Sequence, residues 1–436
     1  MAIIVRISEV AGKVGRQVRI RGWIHRKRES GGIAFIVLRD SSSTVQIAIK
    51  KDSVDDRSWR EAAESAVESS AYVTGTVKRE SRAPTGYEIE ADSFRKVGGS
   101  EPFPITEYKS TELLLDKRHL WLRSRRMTVI MEIRSFAFRY CREFLDMQGF
   151  YEITPPLITK AGGETGANLF EVDYFGNTAY LTESSQLYAE AMVFPLEKVY
   201  SLAPSYRAEK SRTVKHLAEY WHLEPEMAYY DNAKSMKLQE RLVSRLATRL
   251  AERHGNVLEE LGVDTATLRK IRPPFGRMSY EKAVEELNQR GIHKKWGEDL
   301  GVEDERALTA DEKKPVFIYN WPKEMKPFYM PVNPKDDRTV LCADLQAPQG
   351  HGEIIGGSER IWELDELIER IAETENEKGV KFNLNNYAWW IDLRRYGPVP
   401  HAGFGMGMER VLKWLLNLEH IRDAIPFPRM INRMEP

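Results

Sequence analysis

The sequence predicts an α+β protein in two parts, a small β-barrel followed by a larger mixed domain with a mostly antiparallel sheet flanked by helices. Residues 1–98 contain short, β-rich and partly alternating runs, whereas residues 116–436 carry long amphipathic helices among strands. Residues 99–115 lie between them, are crossed by prolines and are rich in turn residues, which is typical of a linker. A chain of 436 residues is long enough to bury a core in each part.

Five β-rich runs and one helix give the order of elements in the first part. The helix candidate, Trp59 to Glu68, has alanines and charges at helical spacing and lies between the third and fourth runs. Strand–strand–strand–helix–strand–strand is the order of a five-stranded OB-fold β-barrel. The runs are Val18 to Ile24, Ala34 to Asp40, Thr44 to Lys50, Ala71 to Val77 and Tyr87 to Ala91.

The second part alternates long helices with shorter strands. Thr128 to Met147 has apolar residues at helical spacing and stops before Gly149, as a helix should. The other helix candidates are Ser235 to Gly255, Glu363 to Lys378 and Met406 to Leu418. The strand candidates are Lys198 to Pro204, Tyr220 to Ala228, Val316 to Asn320, Thr339 to Leu345 and Trp389 to Arg394.

Composition excludes several classes of protein. Lys+Arg and Asp+Glu balance at 65 each, so any nucleic-acid surface must be a local patch. The only two cysteines, Cys141 and Cys342, form no CxxC pair, which argues against a disulfide framework or a zinc site and suits the reducing cytoplasm. The N-terminus is charged too early for a signal peptide, and no run of about 18 apolar residues could span a membrane.

A charged hairpin is the most informative segment for chemistry. Ser205-Tyr206-Arg207-Ala208-Glu209-Lys210 leads into a polar loop, and the chain returns through Glu224-Pro225-Glu226-Met227. Such a hairpin can bring an arginine to a phosphate and an acid to an adenine amino group. For charged hairpins in general, a solvated turn without function is the commoner interpretation.

Three segments in one order resemble the motifs of class II aminoacyl-tRNA synthetases, in the aspartyl/asparaginyl group (subclass IIb) and on its asparaginyl side. The hairpin resembles motif 2 (about 201–229), FYEITPP closes a segment like motif 1 (about 128–156), and GFGMGMER opens one like motif 3 (about 403–418). The resemblance implies a class II catalytic domain that activates L-asparagine with ATP and transfers it to tRNA(Asn). The HIGH and KMSKS signatures of class I enzymes and the Walker A loop are absent.

The resemblance also implies an ATP site. Arg207 would bind the α-phosphate and Arg410 the γ-phosphate or adenine, and both would be catalytic because in-line transfer spreads negative charge that fixed cations stabilise. Glu209 would accept from the adenine amino group, and His216 would meet the phosphates. The implied ATP-binding set is Arg207, Ala208, Glu209, Lys215, His216, Leu217, Glu353, Gly407, Met408, Glu409 and Arg410.

Magnesium is expected at two carboxylates, Asp344, which precedes the segment GEIIGGSER, and Glu353, which is its second residue. Mg²⁺ prefers oxygen ligands and bridges phosphates. A pair of acids at strand edges without a metal is the alternative, and the family resemblance favours the metal site, more for Glu353 than for Asp344.

The choice of asparagine depends on the segment Glu183-Ser184-Ser185-Gln186-Leu187-Tyr188-Ala189-Glu190. Aspartyl enzymes have lysine where this chain has Ala189, and loss of that cation leaves an aspartate carboxylate poorly compensated. Glu190 would repel aspartate and accept from the carboxamide of asparagine. The resemblance implies an amino-acid-binding set of Glu164, Gln186, Glu190, Arg207, Gly356 and Arg360, with Glu164 and Gln186 on the α-ammonium group.

A basic stretch in the barrel predicts an anticodon-binding face. Basic residues and no acid occur between Glu9 and Glu29, and OB domains bind single strands with cations and stacked rings. The resemblance assigns Arg26, Arg28, Phe35 and Gln46 to the tRNA anticodon, although for Phe35 by itself burial in the barrel core is the commoner interpretation.

Two other functions remain open at this point. The first is an aspartyl enzyme, including a non-discriminating one, or a paralogue that makes asparagine by the same adenylate chemistry. The second is a non-catalytic nucleic-acid-binding protein, against which the intact Arg207, Glu353 and Arg410 argue. A homodimer through the motif 1 region is implied by resemblance alone.

Overall fold

The computed structural model describes residues 3–106, 109–160, 169–209, 216–378 and 381–436. Its contacts divide the chain into two units, Met1–Trp121 and Leu122–Pro436. This division lies after the linker expected at 99–115, because two short helices, at Thr111–Asp116 and Arg118–Trp121, group with the first unit. Ser110 caps the first of them by accepting a hydrogen bond from the backbone N–H of Leu113.

The first unit contains a closed barrel, which confirms the predicted OB fold. Its strands are β1 (Ile3–Ile4), β2 (Gln17–Ser30), β3 (Ile33–Arg39), β4 (Thr44–Lys50), β5 (Ser70–Arg79) and β6 (Tyr87–Gly98). Its helices are α1 (Asp56–Glu64), α2 (Thr111–Asp116) and α3 (Arg118–Trp121). The strand order is β1-β2-β3-β4-β6-β5, and pairing of β2 with β5 closes five strands into a ring.

Strict alternation in β3 explains why this strand has one face in the barrel core. Ala34, Ile36 and Leu38 are fully buried, whereas Phe35 and Val37 lie on the outer face. The expectation that Phe35 could be a core residue is therefore not supported, and its ring lies on the barrel surface.

The second unit is built on an eight-stranded sheet with the order β13-β14-β15-β16-β17-β12-β11-β7. The strands of this unit are β7 (Tyr151–Glu152), β8 (Ile158–Thr159), β9 (Glu171–Tyr174), β10 (Asn177–Leu181), β11 (Lys198–Tyr206), β12 (Glu219–Ala228), β13 (Gly276–Ser279), β14 (Val316–Tyr319), β15 (Cys342–Ala347), β16 (Gly352–Arg360) and β17 (His401–Gly407). Strands β8, β10 and β9 form a separate small sheet. The large sheet is antiparallel except for the pairs β7–β11 and β13–β14, which confirms the predicted mostly antiparallel architecture.

Helices pack around this sheet. They are α4 (Arg125–Asp146), α5 (Gln186–Leu196), α6 (Asn232–Arg253), α7 (Gly255–Glu260), α8 (Thr265–Lys270), α9 (Tyr280–Gln289), α10 (Val302–Thr309), α11 (Leu364–Lys378), α12 (Leu384–Ile391) and α13 (Met408–Leu415). Short 3₁₀ helices cover Ile7–Lys13, Lys51–Ser53, Lys323–Met325, Asp392–Arg394 and Ile421–Ala424. None of the helices in the described ranges is long and apolar enough to cross a membrane.

One predicted strand is wrong. Trp389 to Arg394 was expected to be extended, but α12 and a 3₁₀ turn occupy it. Tyr387, Trp390 and Ile391 are the buried residues of α12, and their spacing places them on one helical face. Burying large apolar side chains stabilises by about 1.5–3 kcal/mol each, whereas β propensities differ by about 1 kcal/mol, so burial decides the conformation.

Candidate functional site

A cavity of about 300 Å³ is lined by residues from β12, β16 and β17, three neighbouring strands of the large sheet. Twelve of the predicted site residues line it: Gln186, Arg207, Glu209, His216, Leu217, Asp344, Glu353, Gly356, Arg360, Gly407, Glu409 and Arg410. Ala208 and the fully buried Met408 are not among its lining residues. The predicted Glu164 and Lys215 lie outside the described residues.

A cationic cluster, defined by Arg207, Arg410 and Glu353, forms one part of the wall. Arg207 follows β11 directly, and its backbone N–H donates to the carbonyl oxygen of Ala218 at 2.9 Å, which holds the hairpin closed. The nearest guanidinium nitrogen of Arg410 lies 3.5 Å from a carboxylate oxygen of Glu353. Burial would raise the pKa of Glu353, but Arg410, Lys326 and Arg207 hold it below its usual range. The two arginines can bind the negative oxygens of a polyphosphate, and the ionised acid can bind a cation that accompanies it.

Tyr220 is the aromatic residue of the returning strand that faces the cavity. The guanidinium of Arg207 lies 5.9 Å from the centre of its ring. Its neighbour Trp221 packs edge-to-face on Phe138 instead, with ring centres 5.5 Å apart. Of these two neighbouring rings, Tyr220 is therefore the one that a ligand in the cavity can reach.

Asp344 and Glu353 converge beside Gly356. A methyl group at Gly356 would lie 3.3 Å from an oxygen of Glu353 and 3.5 Å from one of Asp344, so both carboxylates border the space that the missing side chain leaves. Lys326 Nζ lies 2.5 Å from Asp344 Oδ2. Burial raises the pKa of Asp344 to about 6, Lys326 opposes the shift and Glu353 adds to it. Within the described residues no group of three or more His, Cys, Asp or Glu side chains that could hold a metal ion occurs, so this site offers two carboxylates.

Glu409, one of the residues expected to bind ATP, is also held by two protein donors. It borders the cavity, but its Oε1 accepts from Arg134 Nη1 at 2.6 Å and its Oε2 from the backbone N–H of Trp221 at 2.9 Å. Both oxygens are therefore committed to protein donors, and Glu409 ties α13 to α4 and β12.

A second group, the Glu226–Arg360 pair, forms another part of the wall. Arg360 Nη2 donates to Glu226 Oε1 at 2.5 Å, and its Nε lies 3.3 Å from Glu226 Oε2. Arg360 Nη1 also donates to Ser358 Oγ at 2.7 Å, and both charged side chains are buried. Gly403 on β17 makes the room, because any side chain there would collide with the carboxylate of Glu226.

Glu190 lies behind the cavity wall and not in it. Its side chain is fully buried and accepts hydrogen bonds from Gln186, Trp390 and Arg394, with His401 Nε2 at 3.2 Å. Burial would raise the pKa of Glu190, but Arg394, His401 and Arg360 hold it below its usual range. Glu190 was expected to contact a substrate carboxamide directly, but it is not among the residues that line the cavity, and its neighbour Gln186 is.

Several lining residues carried no predicted role. They are Glu183, His222, Glu224, Glu226 and Lys326. Glu224 accepts from the backbone N–H of Ser185 at 2.8 Å and from Ser185 Oγ at 2.6 Å, so it fixes the start of α5. The alternation of β12 gave a signal for the acids, since residues 222, 224 and 226 point to one face of a strand.

The outer face of the barrel brings together the four residues expected to meet an anticodon. In the strand register Arg28 lies opposite Phe35, and Val37 lies between Arg26 and Gln46. The guanidinium of Arg28 is 4.7 Å from the centre of the Phe35 ring. Gln46 is buried, and its Nε2 donates to Glu88 at 2.6 Å, which leaves the amide oxygen as the group that can face a ligand.

Comparison with known proteins places this geometry in context. Residues 110–431 match the family model of tRNA synthetases class II (D, K and N), and residues 18–97 match that of the OB-fold nucleic acid binding domain. The chain is similar to the asparagine–tRNA ligase of Thermoplasma acidophilum, with 44% identity over 432 residues and 99% of each chain covered. It is also similar to that of Thermococcus gammatolerans, with 46% identity covering 97% of this chain and 96% of the relative. The crystal structure of asparaginyl-tRNA synthetase from Pyrococcus horikoshii complexed with asparaginyl-adenylate superposes over the full length of both chains, with a TM-score of 0.95 and 42% identity.

Proposed function

The chain belongs to the class II tRNA synthetases (D, K and N), and from that premise we propose that it activates L-asparagine with ATP and transfers it to tRNA(Asn). The observation that carries the choice of amino acid is the buried Glu226–Arg360 pair, in the same cavity as the cationic cluster. A carboxylate beside a guanidinium offers one acceptor and one donor, which is the complement of a carboxamide.

In the first step a carboxylate oxygen of asparagine attacks the α-phosphorus of ATP, and the bond to pyrophosphate breaks. The α-carboxylate is already ionised, so no general base is needed. Arg207, beside Glu353, stabilises charge on the α-phosphate oxygens, and Arg410 binds the departing phosphates. Glu209 and His216 line the same cavity and complete the contacts to the nucleotide.

Magnesium fits this arrangement at Glu353 and Asp344. Their oxygens converge at Gly356, and Lys326 and Arg410 limit how much negative charge the two acids present. When bound, Mg²⁺ neutralises phosphate charge and orients the leaving group. Glu353 and Asp344 would hold the ion together with phosphate oxygens, and Lys326 would keep the carboxylate of Asp344 in place.

Asparagine is selected at the Glu226–Arg360 pair. Arg360 would donate to the amide oxygen and Glu226 would accept from the amide NH₂. An aspartate side chain would instead place a second carboxylate next to Glu226 in a buried site, which is strongly unfavourable. Gln186, and Glu164 by resemblance, would bind the α-ammonium group.

The identity of the amino acid is tested by pyrophosphate exchange with asparagine and aspartate in parallel. We expect exchange that depends on asparagine and is at least about 100-fold weaker with aspartate, since a missing or mismatched buried hydrogen bond costs several kcal/mol. Preference for aspartate would identify an aspartyl enzyme. Exchange with neither amino acid would favour a nucleic-acid-binding protein without catalysis.

The barrel face would bind the anticodon, with Phe35 stacking on a base and Arg26 and Arg28 contacting phosphates. Replacing Phe35 with alanine should raise the KM for tRNA about 10- to 100-fold and leave pyrophosphate exchange unchanged, because one stacked base contributes about 1–3 kcal/mol. Tyr72→Ala is the matched control, since Tyr72 lies elsewhere on the barrel beneath Arg19, 4.7 Å away. Equal loss in both variants would show that the barrel surface as a whole, and not Phe35, matters.

The chain would form a homodimer and act in the cytoplasm. A homodimer through the motif 1 region is supported by exposed apolar side chains there, since Met147 at the end of α4 and Tyr151 on the edge strand β7 are more than half exposed. Both cysteines are buried and unpaired, which suits a reducing cytoplasm.

A further inference from the structure

The carboxylate of Glu190 joins the wall of the cavity to a buried cationic group behind it. Its Oε2 accepts from Arg394 Nη2 at 2.6 Å and from Trp390 Nε1 at 3.0 Å, and His401 Nε2 lies 3.2 Å away. Its Oε1 accepts from Gln186 Nε2 at 2.9 Å. Of these partners, Gln186 is the one that lines the cavity.

The partner of Gln186 determines which end of its amide faces the cavity. An ionised carboxylate accepts hydrogen bonds and donates none, so only the NH₂ group of Gln186 can point at Glu190. The amide oxygen then points the other way. The two residues are four positions apart on α5, which places them on one face of the helix, and Gln186 is buried enough that its amide cannot rotate freely.

The orientation matters because the two ends of the amide have opposite effects on a cation. An oxygen accepts from an ammonium group, whereas an NH₂ group in the same place would direct its hydrogens at that positive charge. Arg394 is held in turn by the carbonyl oxygen of Ile361 at 3.0 Å and stacks on Trp390, so the donors that fix Glu190 are themselves fixed.

We propose that Glu190 is a positioning residue, which fixes the amide of Gln186 with its oxygen towards the cavity so that this oxygen accepts from the α-ammonium group of the substrate. This inference rests on the proposed activation of asparagine. Glu190 thus acts on the α-amino end of the amino acid, through Gln186, and not on the carboxamide end, where Glu226 and Arg360 lie.

The test compares Glu190→Gln with wild type and with Gln186→Leu, which removes the amide oxygen altogether. In a glutamine at 190, the donors Arg394 and Trp390 would retain the amide oxygen, so the NH₂ group would face Gln186 and draw the oxygen of Gln186 away from the cavity. We expect the KM for asparagine in pyrophosphate exchange to rise about 10- to 100-fold in both variants, with the KM for ATP changed less than about threefold.

Succinamate, which is asparagine without its α-amino group, separates positioning from general damage. In wild type the ratio of the succinamate Ki to the asparagine KM reports how much the ammonium group adds to binding. This ratio should fall about 10-fold or more in Glu190→Gln, because asparagine binding weakens while succinamate binding does not. If both weaken equally, Glu190 is only a structural residue and the inference is overturned.

A double exchange guards against a variant that fails to fold. In Gln186→Glu with Glu190→Gln, the amide at 190 donates to the carboxylate at 186, whose second oxygen can face the ammonium group. We expect this protein to bind asparagine at least about fivefold better than Gln186→Leu. Binding no better than that of Gln186→Leu would refute the inference, whereas wild type without exchange on asparagine would refute the proposed function instead.

Discussion

Replacing Arg207 with glutamine is expected to lower asparagine-dependent pyrophosphate exchange about 1000-fold, mainly in kcat. Arg207 lies at the end of β11 and lines the cavity beside Glu353, whose negative charge it helps to compensate. If it binds the α-phosphate, its charge is needed most when the phosphorus carries both the incoming and the leaving oxygen. Loss of one preorganised donor at such a centre costs about 10²–10³ in rate, and loss of a full charge with two donor groups should reach the upper end.

Arg207→Lys tests whether charge alone is enough, and Arg249→Gln is the control for the loss of an arginine outside the cavity. Lysine keeps the charge but not the planar pair of donors, so it should recover only part of the rate. Arg249 lies on the exposed side of α6 and pairs with Glu252 at 2.9 Å, so its replacement should leave exchange unchanged. A glutamine variant at 207 with nearly wild-type kcat would show that the α-phosphate is bound by another residue.

Much of the fold could be predicted because local pattern and tertiary burial agree. The β-rich run Thr44 to Lys50 gave β4 with its observed bounds, and the 3.6-residue period of Thr128 to Met147 gave α4 within three residues at its start. The strand predicted at Trp389 to Arg394 is wrong because local pattern and burial disagree there. It is short and aromatic, and only contacts made elsewhere in the fold reveal that Tyr387, Trp390 and Ile391 share one helical face.

The candidate site could be predicted only where a motif lies in one segment. Arg207, Glu209 and Arg410 belong to such motifs, and all three line the cavity. The Glu226–Arg360 pair joins residues 134 positions apart, and His401 reaches Glu190 across 211 positions. No local pattern encodes those contacts, so the sequence could suggest that Glu190 matters without showing that its partners are protein groups.

Replacing Glu226 with glutamine should reverse much of the preference for asparagine over aspartate. Glu226 is the only anionic partner that the structure shows in direct contact with Arg360 among the described residues, and both groups are buried. The substitution keeps the shape of the side chain but removes the carboxylate that is bonded directly to the guanidinium, and an aspartate carboxylate could then take that place. We expect kcat/KM for asparagine to fall about 100- to 1000-fold and that for aspartate to rise, so that their ratio shifts by about 10³ or more.

Glu240→Gln is the control for the loss of a buried carboxylate. The measured quantity is the ratio of kcat/KM for asparagine to kcat/KM for aspartate, which does not depend on how much of the protein is folded. Glu240 is buried on α6 outside the cavity, accepts from the backbone N–H of Phe275 at 3.0 Å and lies 3.4 Å from Arg277. Its replacement should lower the midpoint of thermal unfolding and leave the asparagine-to-aspartate ratio unchanged. Glu226→Gln should change the ratio even after correction for active protein. An unchanged ratio in Glu226→Gln would mean that aspartate is rejected elsewhere, and the selection of asparagine would then have to be assigned to another part of the cavity wall.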